Sequence, residues 1–172
     1  MRHRPPLHPQ GFAAAVVNLT GRLVPPPQRV QALNDSAPIP VNPGWVIATD
    51  LSDSQNAFAA DDLAAALANI TGGIRFDVLD SKAIAVGVPG MFIAFATSTN
   101  DPIVTEQLAL RNGSLDTLGI HAGPEAYVLV ADRDAVVVVG TGAAGTFYGL
   151  QTLAQIWDAS VVQNNCTKPC TI

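Results

Sequence analysis

The sequence predicts an α+β domain in which a mixed β-sheet carries two main helices, packed mostly on one face. Its apolar segments follow the order β-α-β-β-(α)-β-β-α, and strands interrupted by helices in this way suit a mixed sheet. Hydrophobic residues make up 48% of the 172 residues and charged residues 13%, a composition typical of a folded globular chain. The length corresponds to about one domain.

The first half of the fold opens with a short apolar strand, Trp45–Thr49. The alanine-rich segment Ala57–Asn69 favours a helix, and either Ser54 or Asn56 is expected to cap it. We expect this helix to bury one apolar face, made of Phe58, Leu63, Leu67 and Ile70.

Two further strands follow this helix. Gly72 and Gly73 are expected to end it, and Ile74–Leu79 then alternates apolar and polar residues, as a half-buried strand does. Met91–Ala96 is the next apolar strand. Asp101 and Pro102 open a short helix that ends near Leu110, since proline suits the first helical position.

The C-terminal third contains a predicted hairpin and a predicted helix. Tyr127–Ala131 and Ala135–Val139 flank a short polar turn at Asp132–Asp134, most simply a β-hairpin. The second strand is a run of valines, which suits burial on both faces. The last helix, Ala144–Asp158, has a broad apolar face.

Composition along the chain divides it into three parts. Residues 1–40 form a proline-rich leader, expected to be extended because proline lacks an amide donor. Residues 41–160 form the folded domain, and residues 161–172 form a tail with Cys166 and Cys170. This pair is expected to be a surface disulfide or two free thiols. The apolar stretch Phe12–Val17 is shorter than the h-region of a signal peptide, about 7–15 residues.

Charge and residue types exclude several classes of function. The net charge is -5, whereas a nucleic-acid surface needs clustered Lys and Arg. No apolar run reaches the roughly 20 residues that span a bilayer. The three histidines, His3, His8 and His121, have no ligand spacing relative to the cysteines, so we expect no metal. His121 also lacks a partner pattern for catalysis.

The segment Gly140–Gly145 matches the G-x-G-x-x-G dinucleotide fingerprint and lies between a strand and a helix. That fingerprint requires a second parallel strand ending in an acidic residue about 20 positions later. The chain has no such strand after the helix. The glycines are therefore predicted to form a tight strand-to-helix turn, and no cofactor is expected; a small nucleotide-binding protein is the least favoured alternative.

The same region resembles a known accessory domain. Glu125–Leu129, the strand Val136–Val139 and the helix Gly145–Ile156 are similar to the end of the N-terminal domain of glycoside hydrolase family 20 β-N-acetylhexosaminidases. The N-acetylglucosaminidases of family 84 carry a similar domain. The specific match covers about 30 residues. In those families a strand of the Glu-x-Tyr-x-Leu type and a valine-rich strand lead into a Gly-x-Phe-Tyr-Gly helix.

The resemblance implies that this chain is not itself an enzyme. In those families the catalytic residues lie on a TIM barrel that follows the domain, and family 20 uses an Asp-Glu pair there. Asp61-Asp62 does not match that pair; it is interpreted as helix N-terminal charge, which the macrodipole favours. No catalytic, cofactor-binding or metal-binding residue is assigned.

The partner that the resemblance implies is the TIM barrel, in cis, and the expected location is extracytoplasmic. The final helix would supply the interdomain packing, and without the barrel we expect a solvent-facing apolar patch around Leu153, Ile156 or Trp157, which would also permit self-association. The alternative is a free-standing carbohydrate- or protein-binding module. The residues expected to pack against the barrel are Phe147, Tyr148, Leu153, Ile156 and Trp157.

Overall fold

The computed structural model describes residues 44–85, 92–114, 123–132 and 134–163. Its elements occur in the predicted order. The strands are β1 (Val46–Thr49), β2 (Asp77–Asp80), β3 (Phe92–Thr97), β4 (Tyr127–Ala131) and β5 (Ala135–Gly140). The helices are α1 (Ser54–Ile70), α2 (Pro102–Leu110) and α3 (Ala143–Gln163). The predicted leader, His121 and the two cysteines lie outside the described residues.

The five strands form one mixed sheet in the order β2-β1-β3-β5-β4. β1, β2, β3 and β5 are parallel, whereas β4 pairs antiparallel with β5. The predicted hairpin is therefore confirmed, as is the mixed α+β class. The register brings Phe95 of β3 beside Val138 of β5 at the centre of the sheet.

The sheet has a core on each face, because alternate residues of a strand point to opposite sides. Ile93 and Phe95 face the larger core, which α1 and α3 cover, whereas Ala94 and Ala96 face the smaller core under α2. The two long helices thus share one face, as predicted. Every residue of β5 is buried, which confirms the interpretation of the valine run.

Three local predictions need correction. Asp53, not Ser54 or Asn56, caps α1: its carboxylate accepts bonds from the amides of Gln55 at 2.8 Å and Asn56 at 3.3 Å. The strand predicted from Ile74 is regular only from Asp77, although Phe76 is buried as its alternation required. The third correction concerns Phe58, which is 68% exposed and not part of the buried face of α1. The helix reaches the sheet through its small residues and Leu63 and Leu67 instead.

Candidate interdomain surface

The glycine turn before α3 is filled by the chain's own backbone. The Thr141 amide donates to the Ala126 carbonyl at 2.9 Å, and the Gly145 amide donates to the Pro124 carbonyl at 3.2 Å. A Cβ atom on Gly145 would lie 2.2 Å from the Ala126 oxygen. The close backbone approach that glycine permits is therefore made to residues 123–126. A pyrophosphate would need the same space and the same amide, so the turn is a packing device.

Two of the five residues predicted to pack against a barrel are in the domain's own core. Leu153 is 2% exposed and Trp157 is 1% exposed. The Trp157 ring meets Trp45 edge-on, with the ring centroids 6.2 Å apart. The predicted solvent-facing patch is therefore absent at these two residues. Their spacing indicated an apolar face correctly, but that face is the one that meets the sheet.

The other three predicted residues lie nearer the solvent. Phe147 is 39% exposed, and Tyr148 and Ile156 are half-buried. The rings of Phe147 and Tyr148 contact each other edge-on at 6.0 Å between centroids. Tyr127 is half-buried as well, and its hydroxyl lies 2.7 Å from that of Thr152.

The outer face of α1 and α3 forms a continuous surface that we call the helix-pair face. The two helices contact each other and run in the same direction, because each follows a strand of the parallel set and covers the same face of the sheet. Small side chains line the seam between them, and Gln151 of α3 donates to Asp62 of α1 at 3.3 Å across it. Phe58 and Phe147 stand at the end of the seam where both helices begin.

Sequence reasoning missed Phe58 as an outward-facing residue. It lies five positions before Leu63, so its spacing fits the edge of a broad buried face as well as an exposed one. Asp61 and Asp62, which lie one turn after Phe58 and are exposed, indicate the solvent side of α1. A residue that shares their side of the helix is expected to point to solvent as well.

The helix-pair face carries only negative charge. Asp61, Asp62 and Asp158 are exposed, and neither α1 nor the described part of α3 contains a lysine, arginine or histidine. Asp61 and Asp62 lie two turns into α1, whose first turn has no acidic residue. The interpretation of this pair as N-terminal helix charge is therefore wrong, because the macrodipole effect fades within the first turn.

The two carboxylates whose pKa is shifted, those of Asp50 and Asp132, lie away from the helix-pair face. Lys82 donates to Asp50 at 2.8 Å, and this bond, with help from Ser52, lowers the pKa of Asp50 to about 2. Burial tends to raise the pKa of Asp132, but the Ala135 and Asp134 amides and Arg111 lower it overall. Arg111, at the end of α2, bonds to Asp132 at 2.9 Å and so ties that helix to the hairpin turn. Both arrangements are structural ion pairs.

Neither a metal site nor a membrane span is found in the described part of the chain. Within residues 44–85, 92–114, 123–132 and 134–163, no three His, Cys, Asp or Glu side chains are grouped to hold a metal ion. Among the helices that the structure describes, none has the length and apolar character needed to cross a bilayer.

The glycine turn is filled by the chain's own backbone and leaves no cradle for a dinucleotide. The family model for glycosyl hydrolase family 20, domain 2, matches residues 20–171. The chain belongs to this family. The match confirms the resemblance drawn from the Glu125–Ile156 region.

Among solved structures, CpGH84D has a similar fold. CpGH84D is 17% identical to this chain, with a TM-score of 0.53 over 77% of the chain and 20% of CpGH84D. The chain thus spans about a fifth of the length of that protein. A GH138 enzyme targeting pectin rhamnogalacturonan II is 15% identical over 74% of the chain and 11% of its own length, with a lower TM-score of 0.36. No curated protein sequence matches the chain.

Proposed function

We propose that this chain is the non-catalytic domain of a β-N-acetylhexosaminidase-type glycoside hydrolase and that it braces the catalytic TIM barrel in cis. The membership of residues 20–171 in the family-20 domain supports the assignment to such an enzyme. The observation that carries the bracing role is the helix-pair face, because it combines exposed aromatic rings with small side chains. Interfaces between domains use such rings as anchors.

Phe58 is the residue of this face that most needs a partner. Its side chain is 68% exposed, beside Phe147 at 39%. Single exposed apolar residues are ordinary on protein surfaces. The Phe58 and Phe147 rings, however, lie together at the end of the seam between α1 and α3 and form an apolar patch. The seam is flat enough for close approach because its lining includes Ala59, Ala66 and Ala154.

The test compares two residues that are equally exposed on opposite faces of the sheet. Phe58 lies on α1 and Leu110 on α2, and each is 68% exposed. In the 172-residue chain, Phe58→Asp and Leu110→Asp should each change the free energy of unfolding by less than about 0.5 kcal/mol. In a protein that joins the domain to its barrel, Phe58→Asp should lower stability by about 2 kcal/mol or more, because it buries an unpaired carboxylate.

Leu110→Asp serves as the matched control and should leave the two-domain protein unchanged. Thermal unfolding of both variants in both proteins provides the measurement. Equal effects of the two substitutions in the two-domain protein would contradict docking through the helix-pair face. The in-cis part is tested separately by the reading frame after the codon for Ile172: a frame that encodes no barrel would refute it.

Secretion belongs to the same proposal, by the family relationship. An oxidising compartment would favour a disulfide between Cys166 and Cys170. Thiol titration of the protein isolated from its natural source should then find neither cysteine free. Two free thiols in freshly isolated protein would count against an extracytoplasmic location.

A further inference from the structure

The two edges of the sheet differ in how they are protected. β2 lies at one edge and β4 at the other. β2 begins and ends with an aspartate, Asp77 and Asp80, and charges on an edge strand keep it from pairing with other chains. β4 is one residue longer and reads Tyr-Val-Leu-Val-Ala, with neither a charge nor a proline. The β4 edge therefore lacks the protection that the β2 edge has.

The backbone of β4 presents hydrogen-bonding groups at this edge. Asp132, directly after β4, donates its amide to the Ala135 carbonyl at 3.0 Å, and the register between β4 and β5 runs without a bulge. Backbone groups of an antiparallel strand point alternately toward and away from its neighbour. The groups that point away from β5 therefore belong to Tyr127, Leu129 and Ala131. Among the described residues no further strand pairs with them, so the edge offers their N–H donors and C=O acceptors.

The side chains of β4 leave both cores of the domain open at the same edge. Leu129 packs against the larger core, whereas Val128 and Val130 pack against the smaller one. Every residue of β4 is half-buried, although every residue of the neighbouring β5 is buried. A strand added beside β4 would pair with its backbone and extend both cores, as in other cases of strand addition to a sheet edge.

The sequence of β4 matches a second copy of itself. When two β4 strands pair antiparallel with Leu129 opposite Leu129 of the second copy, each outward N–H meets an outward C=O, which gives about six hydrogen bonds. In this register Tyr127 lies opposite Ala131, so a large side chain meets a small one, and Val128 lies opposite Val130. No like charges meet along the paired strands, and β-branched pairs of this kind stabilise sheets. This self-match favours a second copy of the chain as the occupant of the edge.

We propose that two copies of this chain associate through β4 and form one continuous sheet, with a twofold axis at Leu129. The assembly closes at two copies, because the interface is the same patch on both and the outer edges that remain are the protected β2 strands. Two paired five-residue strands make a small interface, so the dimer is reversible. The inference is independent of the bracing role, since it uses an edge of the sheet and not the helix-pair face.

The test uses the 172-residue chain and reads both its mass and its register. Sedimentation equilibrium should show a reversible change from one copy to two as the concentration of the chain rises. Over the same range, hydrogen exchange at the outward amides should become slower, because pairing removes them from water; these amides belong to Tyr127, Leu129 and Ala131. In a mixture of isotope-labelled and unlabelled chains, NMR should detect a contact between the methyl groups of Val128 and Val130 of different copies.

Two lysine substitutions, one at each edge of the sheet, make the result specific. Ala131→Lys places a charge on the β4 edge opposite Tyr127 of the second copy and should weaken association about tenfold or more. Leu79→Lys places the same charge on the β2 edge, where Leu79 is 41% exposed, and should leave association unchanged. Thermal unfolding of the dilute variants checks that both are folded, and the exchange and NMR measurements on the natural chain do not depend on either variant.

Three results would overturn the proposal. The first is a single copy at every concentration, and the second is equal weakening by the two substitutions. The third is slow exchange of the outward β4 amides that does not change with concentration, since another segment of the same chain would then cover the edge. None of these results affects the Phe58→Asp comparison in the two-domain protein, so a failure here leaves the bracing role to its own test.

Discussion

Replacing Gly145 with alanine tests whether the glycine turn is a packing device. Gly145 lies in the first turn of α3, where helix propensity alone favours alanine over glycine by about 1 kcal/mol. If the turn were open to a ligand, Gly145→Ala would stabilise the free domain. The structure predicts the opposite sign, because the new Cβ atom would lie 2.2 Å from the Ala126 carbonyl oxygen.

The magnitude follows from what must move. The obstacle is backbone, so residues 123–126 or the start of α3 must shift, and such overpacking costs about 1–3 kcal/mol. The shift would weaken the bonds from the Thr141 amide to Ala126 and from the Gly145 amide to Pro124, each worth about 1 kcal/mol. After subtraction of the propensity gain, we expect a net loss of about 3 kcal/mol.

Urea unfolding of the 172-residue chain measures this loss of unfolding free energy directly. Thermal unfolding provides a second measurement: its midpoint should fall by about 6–12 °C, since 1 kcal/mol corresponds to about 2–4 °C in a domain of this size. Gly123→Ala is the matched control: it lies beside the same contact, and nothing lies within 4 Å of its Cβ position. Its stability should stay within about 1 kcal/mol of the natural chain. A Gly145→Ala domain as stable as the natural one would refute the reasoning.

Two further substitutions test the core and the hairpin tie. Leu153→Ala should lower the free energy of unfolding, measured with urea, by about 2–5 kcal/mol, because Leu153 is 2% exposed and its truncation leaves a cavity. A loss below about 1 kcal/mol would indicate that Leu153 is not buried in the core. Asp132 has a folded-state pKa below its ordinary 3.8, so its contribution to stability is present above that pH and is lost as the pH falls through the folded value. Asp132→Asn should therefore be less stable than the natural chain at pH 7, with a gap that narrows below pH 3.8; a gap independent of pH would contradict the assignment.

The order of elements could be predicted because local signals agreed with one another. The valine run of β5 required burial on both faces, and the structure buries all six of its residues. Pro102 opens α2 after the Asp101 cap, as its missing amide donor required. The hairpin followed from two apolar runs separated by a polar turn at Asp132.

The orientation of the helices could not be predicted in the same way. α1 and α3 have apolar residues both toward the sheet and toward the helix-pair face, and periodicity alone does not say which set is which. Phe58 was therefore assigned inward although it is exposed, and Leu153 and Trp157 were assigned outward although they are buried. The orientation of α3 depends on a contact between Trp45 and Trp157, which fill one core from distant parts of the chain. Periodicity within a single helix does not reveal such a contact.

The burial of Asn56 in the first turn of α1 was also not predicted from the sequence. The sequence indicated either Ser54 or Asn56 as the cap of α1, since serine and asparagine favour that position. Asp53 takes that role instead. The displaced cap leaves an asparagine in the first turn, and only the approach of α3 turns that residue into the lining of a hollow.

Hydroxyl-radical footprinting tests the central claim most directly. The measurement compares the oxidation rates of Phe58 and Leu110 in the 172-residue chain and in the protein that carries both domain and barrel. Both residues are 68% exposed in the domain, so they should react at similar accessibility-corrected rates in the short chain. We predict that Phe58, with Phe147, becomes strongly protected in the longer protein while Leu110 does not. Protection of Leu110 with an unchanged Phe58 would show that the domain docks through its other face and would contradict the account.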